Sequence, residues 1–178
     1  MEEFIILIND QDQETGIEEK LKVHQRGLLH RAFSIFILNE KKEILLQKRA
    51  LNKYHSGGLW SNTCCGHPRQ HEQINTAIHR RLQEEMGIKT QLFPAGKFHY
   101  TKNIYIHDKE NVLIENEIVH VFYGFSDQLP KPNILEVCEY CWMDIHKIKK
   151  LQKTDPEIFS VWFFLALNHL ITHSNLFF

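Results

Sequence analysis

The sequence lacks a charge of one sign. Its 21 Lys and Arg stand against 22 Asp and Glu, a formal net charge of −1 over 178 residues. No global basic field draws it to nucleic acid or to an anionic membrane surface, so neither is expected as a partner. It also lacks a long apolar run. FSVWFFLALNHLITH, 159–173, is the most apolar stretch and carries Asn168, His169 and His173. A membrane span needs about 20 apolar residues, so a buried helix is expected here. The start, MEEFIILIND, is acidic ahead of its apolar run, the wrong flank for a secretory signal. Cysteine is scarce, with four in all. Free thiols without an export signal suit a reducing compartment, and a cytoplasmic location is expected. Adjacent Cys64 and Cys65 would need a strained ring to form a disulfide. Cys138 and Cys141 make a C-x-x-C with no second pair to complete a zinc site, and they read as packing residues. Internal repeats, low-complexity tracts and linkers are absent too, and 43% hydrophobic with 24% charged residues is ordinary globular composition. One domain over 1–178 is expected.

What is present reads as mixed strands and helices. FIILIND is a short apolar strand. IEEKLKVHQRGLLH is a short helix or irregular arm that Gly27 breaks. RAFSIFIL and EILLQKR, joined by the polar NEKK, predict a hairpin. ALNKYHSGGLWSN is a loop punctuated by Gly57 and Gly58. Ile74, Ala77, Ile78 and Leu82 recur at helical spacing and predict a helix over 73–86, stopped by Gly87. Strands follow near 91–100, 112–125 and 136–143. In the last, EVCEYCWMD, alternation puts Val137, Glu139 and Cys141 on one face and Cys138, Tyr140 and Trp142 on the other. DIHKIKKLQ predicts a short helix. The order implies an α/β sandwich or an α+β domain. Nothing in the pattern sets an oligomeric state, and the apolar tail NLFF, 175–178, suits either internal packing or a partner surface.

The segment GHPRQHEQINTAIHRRLQEEMGI, 66–88, concentrates charge on its helix. Glu84 and Glu85 lie one turn beyond Arg80 and Arg81. Such carboxylates can hold a hard cation such as Mg²⁺. They can equally form Arg–Glu pairs at i,i+4 on a solvated face. The whole segment resembles the Nudix box, G-x5-E-x7-R-E-U-x-E-E-x-G-U with U apolar: Gly66, Glu72, Arg80, Leu82, Glu84, Glu85, Gly87 and Ile88 fit. One position departs. Arg81 stands where Nudix hydrolases carry a glutamate of their metal-loading set. Arginine cannot ligate a metal or act as a base, but it can grip a phosphate oxygen. The box is thereby suited to holding a diphosphate rather than cutting it.

Further stretches sharpen the resemblance. KVHQRGLLHRAF, LLQKRALNKYHSGGLWSNTCCGHP, FHYTKN and IENEIVHVF, within about Lys20 to Trp162, are similar to type 1 isopentenyl diphosphate isomerase. That family performs an allylic isomerisation on a Nudix-like fold, which implies a mixed β-sheet sandwich flanked by α-helices. It implies that His24, His30, His67, Glu115 and Glu117 bind one divalent first-row metal, Mn²⁺ or Zn²⁺. Glu115 and Glu117 are two apart and so share one face of a strand, and three imidazoles with two carboxylates suit such an ion. It implies that Lys20, Arg49, Lys53 and Arg81 grip a small-molecule diphosphate, with Mg²⁺ held through Glu85. It implies that Cys65 and Glu117 move the protons, that Tyr100 assists at Glu117, and that the Trp162 indole faces the carbon skeleton. Adjacent strand residues point apart, so Cys64 is expected to pack. Two other functions fit a Nudix fold: hydrolysis of a nucleoside diphosphate derivative, and non-catalytic binding.

Overall fold

A computed structural model of the chain describes residues 3–105, 112–174 and 176. Strand β1 (Phe4–Ile8) pairs antiparallel with β2 (Glu14–Glu19), and helix α1 (Lys20–Arg26) follows. Gly27 ends α1 in a left-handed conformation, as expected. β3 (His30–Leu38), β4 (Ile44–Arg49), β5 (Trp60–Ser61) and β6 (Cys64–Gly66) lead to α2 (Ile74–Met86). β7 (Leu92–Tyr105), β8 (Val112–Phe125) and β9 (Val137–Met143) precede α3 (Ile145–Thr154) and α4 (Phe163–His173). Among these residues no helix is long and apolar enough to cross a membrane.

β3 organises the molecule. Its sequence is apolar at nearly every position, the mark of a strand covered on both faces. Phe33, Ile35 and Ile37 join one core with Ala77, Ile78, Leu82 and Met86 of α2. Ala32, Phe36 and Leu38 join another with Phe163, Ala166, Leu167 and Leu170 of α4. Each large apolar side chain buried this way stabilises the fold by about 1.5–3 kcal/mol. Helix α2 ends at Gly87, whose φ of 67° and N–H bond to the Gln83 carbonyl make a left-handed cap. A Cβ there would also come within 2.8 Å of Lys131 Cβ. Glycine thus both stops the helix and admits the loop before β9.

The predicted hairpin needs correction. β3 and β4 pair only next to their turn, Leu38 opposite Ile44. β3 then runs parallel to β8, from His30 opposite Glu117 to Leu38 opposite Phe125, while β4 pairs antiparallel with β9. Local pattern sees two strands and a turn. The separation comes from distant partners that bury more of each strand. The face assignment in β9 also changes. Lys48 sits opposite Glu139 but Arg49 opposite Val137, so Cys138 is the extra residue of a β-bulge, which breaks the two-residue alternation. Val137 therefore joins the α2 core with Tyr140 and Trp142, while Cys141 packs on the α4 side. Cys138 is exposed rather than packed. The helix expected over 159–173 begins only at Phe163. Before it, the Ser160 N–H donates to the Trp60 carbonyl at 2.9 Å, and Trp162 occupies the helix entry. Of the tail, Leu176 packs against the α4 core; Asn175, Phe177 and Phe178 lie outside the described residues. The polar strand β2 has no local signature, and the short β5 falls in the stretch whose pattern predicts a loop.

Candidate active site

The α4-facing side of β3 reads His30, Ala32, Ser34, Phe36, Leu38. Small residues at Ala32 and Ser34 leave room on this side, and a cavity of about 550 Å³ opens there against α1, the loop before β5 and Trp162. β6 and β8 flank β3, with Cys65 opposite Ser34 and Glu117 opposite His30. Strands from three parts of the chain thus bring a thiol, a carboxylate and an imidazole to one chamber. The adjacent cysteines separate as alternation requires: Cys64 is fully buried in the α2 core, and Cys65 lines the cavity.

The histidines and β8 carboxylates converge. Glu117 Oε1 lies 3.1 Å from His30 Nε2 and 2.9 Å from His67 Nε2. His24 Nε2 lies 3.4 Å from Glu115 Oε2. His24 Nδ1 donates to the Lys20 carbonyl at 2.6 Å and His30 Nδ1 to the Leu28 carbonyl at 2.8 Å. These bonds hold the rings in the tautomer that turns a lone pair inward at Nε2. His24 Nε2 and Glu115 Oε2 are buried with no hydrogen-bond partner among the described residues. Such orphaned donor atoms beside ionisable oxygens fit a metal ion. Among the described residues two overlapping groups have the spacing to hold one: His24, His30, His67 and Glu117, and His24, His55 and Glu115. All five predicted ligands of that ion are here, and His55 joins them from the loop before β5.

Electrostatics divide the two carboxylates. Burial alone would raise Glu117, but its hydrogen bonds to His30 and His67 and their charge outweigh it and hold the carboxyl well below the usual range. Burial, with the Glu117 charge added, raises Glu115. The Tyr100 hydroxyl donates to Glu117 Oε2 at 2.9 Å, and burial with that charge keeps the phenol protonated. Burial pushes the Cys65 thiol up to about 11 despite the nearby Arg49 guanidinium. The chamber thus holds a neutral thiol and an ionised carboxylate.

Lys20, Arg49, Lys53 and Arg81 all line the same cavity, with Glu85 beside them. Lys20 pairs with Glu3 at 2.9 Å. Lys53 and Arg81 share Glu136, Arg81 at 3.2 Å. Arg81 also grips Glu84 at 2.8 Å and Glu85 more closely, and Gln47 Nε2 donates to Glu85 at 2.8 Å. Arg49 lies over the Trp162 ring, 5.2 Å from its centroid. The indole N–H donates to Ser61 Oγ at 3.0 Å, which fixes the ring against the chamber.

Comparison with known proteins gives these contacts a context. A NUDIX domain model matches residues 28–163. The isopentenyl-diphosphate Delta-isomerase of Burkholderia multivorans is 47% identical over 92% of this chain and 90% of its own. Isopentenyl-diphosphate Delta-isomerase 2 of Photorhabdus laumondii is 45% identical over 96% and 93%. The chain belongs to the isopentenyl-diphosphate Delta-isomerase family, within the NUDIX fold. Two solved structures share that fold: DR0079 of Deinococcus radiodurans, with a TM-score of 0.74 at 15% identity over 97% of this chain and all of that one, and a MutT protein of Methanosarcina mazei, with 0.64 at 23% over 81% and 94%.

Within this isomerase-family chain, ten of the predicted site residues other than Cys65 and Glu117 line the cavity directly or stand among its ligand groups, and Tyr100 touches it through Glu117. Sequence reading missed His55, Glu136 and Ser61. His55 sits in a segment that reads as loop. Its position depends on Gly57, where a Cβ would come within 2.5 Å of the Leu51 carbonyl oxygen; the doubled glycine was the one available signal. Glu136 reaches the site because the loop after β8 folds back on α2, with the Lys131 N–H donating to the Met86 carbonyl at 2.8 Å.

Proposed function

We propose that this protein interconverts isopentenyl diphosphate and dimethylallyl diphosphate, a step of isoprenoid biosynthesis, by protonation and deprotonation through a carbocation-like intermediate. The observation that carries the reading is the chamber that Cys65 and Glu117 share with the Trp162 ring. Moving a terminal double bond needs a proton delivered to C4 and another removed from C2. Cys65 and Glu117 reach the chamber from strands on either side of β3, and they are the acid–base pair. Tyr100 holds the Glu117 carboxylate in place and offers it a proton. Trp162 presents a π face that stabilises developing positive charge without trapping it as a nucleophile would.

Lys20, Arg49, Lys53 and Arg81 bind the diphosphate, exchanging their carboxylate partners for phosphate oxygens. The cavity volume lies in the range of small-ligand sites. His24, His30, His67, Glu115 and Glu117 hold one divalent metal, Zn²⁺ or Mn²⁺, and Glu85 holds Mg²⁺ with the substrate. Bound there, these ions supply fixed positive charge at Glu117 and at the diphosphate. Cys64 stays a packing residue. The reading carries a reducing, cytoplasmic setting, which keeps Cys65 a thiol.

Proton NMR of metal-supplied protein with isopentenyl diphosphate in deuterated water tests it. Loss of the vinylidene signal, with two allylic methyl signals, deuterium uptake and no phosphate release, is expected. An untouched double bond with phosphate released would make the protein a hydrolase. No reaction of either kind with metal bound would leave a binding module.

A further inference from the structure

The loop between β4 and β5 contributes a buried histidine outside the predicted ligand set. His55 is 7% exposed. Its ring meets Tyr54 edge-on at 4.3 Å and Trp162 at 5.8 Å between centroids, so its orientation is held on two sides. Each oxygen of Glu115 faces one imidazole. Oε2 lies 3.4 Å from His24 Nε2 and Oε1 lies 3.4 Å from His55 Nε2. Two ligand atoms that are each about 2.1 Å from a zinc-sized ion stand about 3.4 Å apart at a tetrahedral angle. His24, His55 and Glu115 are all more than nine-tenths buried, and their ligand atoms lie within 4.8 Å of one another. Two of the atoms in this group, His24 Nε2 and Glu115 Oε2, are the ones without a hydrogen-bond partner among the described residues. Buried polar atoms are normally satisfied, so a pair left open and convergent points to a ligand.

We infer that His55 is a fourth imidazole ligand of the metal site, on the Glu115 side. The inference rests on the proposed metal binding and extends it. His55 Nδ1 lies 3.1 Å from Ser56 Oγ. Donation to that hydroxyl leaves the Nε2 lone pair toward Glu115, the same arrangement by which backbone carbonyls hold His24 and His30. Arg49 Nη2 donates to the His55 carbonyl at 3.4 Å, and Gly57 has no room for a side chain; together they hold the loop turned inward. The consequence is chemical. Four imidazoles with Glu115 and Glu117 make the site richer in nitrogen. Imidazole suits zinc, copper, iron and nickel, whereas carboxylate-dominated sites suit Mg²⁺ and Mn²⁺. His55 therefore biases this chain toward zinc. In the other tautomer His55 would merely donate a hydrogen bond to Glu115, and the metal would see three imidazoles.

Cobalt separates these cases without relying on activity. The full-length protein is loaded with Co²⁺, and the exchangeable Nδ1–H signals of ligated imidazoles, displaced by the unpaired electrons, are counted by NMR in water. Four signals are expected in the wild type and three in His55→Ala, whose Zn²⁺ affinity should fall on the order of tenfold or more with Mn²⁺ affinity changed less. Three signals in the wild type, unchanged in the variant, would overturn the role of His55 while leaving the metal site intact. No displaced signal in the wild type would overturn metal binding itself. Should His55→Ala fail to fold, the wild-type count decides alone.

Discussion

Glu84 and Glu85 on α2 and Glu115 and Glu117 on β8 are two carboxylate pairs kept in opposite company. On α2 the partners are guanidinium groups: Arg80 and Arg81 at Glu84, and Arg81 at Glu85. On β8 the partners are imidazoles and a phenol: His24 and His55 at Glu115, His30, His67 and Tyr100 at Glu117. A guanidinium keeps its charge at any ordinary pH and has no lone pair to give. An imidazole can offer its lone pair and change its charge. The first pair is therefore already neutralised, and of its arginines Arg81 lines the cavity while Arg80 is bound to Glu72. The second pair is a donor set. Within one NUDIX domain, and around one cavity, the box helix thus presents carboxylates already paired with arginine, while β8 presents carboxylates among imidazoles.

The comparison breaks most completely if the β8 side is not where the chemistry lies. Cys65→Ala and Glu117→Gln are each expected to lower kcat for isomerisation by about 10²–10⁴-fold or more, read by the NMR assay in deuterated water; near wild-type turnover in either would remove the acid–base pair. Exhaustive chelation is expected to abolish activity and added divalent metal to restore it, so an enzyme indifferent to chelation would leave the imidazole cluster as packing. On the α2 side, Arg81→Glu restores the box acid. It removes charge-assisted hydrogen bonds worth about 1.5–3 kcal/mol to a bound anion, so KM for the diphosphate should rise at least about tenfold with no phosphate released. Phosphate release would mean that this one position decides between isomerase and hydrolase.

Two smaller effects sharpen the contrast. Cys64→Ala should cost about 1–2 kcal/mol of stability, seen in the denaturant midpoint, while activity per folded molecule stays near wild type. Glu72 tests the guanidinium side by pH. Its hydrogen bond from Arg80 holds the carboxyl below its ordinary value. The folded value is depressed, so the stabilisation is present above the unfolded value of about 4.3 and fades as pH falls through the folded value. Glu72→Gln should flatten this acid limb of the stability curve; an unchanged limb would show that the pair contributes nothing.

Much of this was legible in one dimension because periodicity and caps are local. The α2 spacing of Ile74, Ala77, Ile78 and Leu82 with Gly87 behind it could make little else. Alternation alone separated Cys64 from Cys65. The failures share one cause. The β3–β4 turn is local, but whether its strands stay together depends on β8 and β9, far along the chain. One bulge residue, Cys138, moved Val137 to the other face. His55 and Ser61 lie in a segment with no period, which carries no record of which way a side chain turns, and Glu136 lies beyond the Cys138 bulge that breaks the alternation of its strand.

The amino-acid sequence by itself determined the elements, the two-sided burial of β3 and the box with its arginine, since each follows from side-chain pattern over a few neighbouring residues. Only the tertiary structure decided which atoms meet. Glu115 and Glu117 share a face by alternation, yet one is raised and the other lowered, because burial costs both alike while the hydrogen bonds that hold Glu117 down come from His30 on β3 and His67 just after β6.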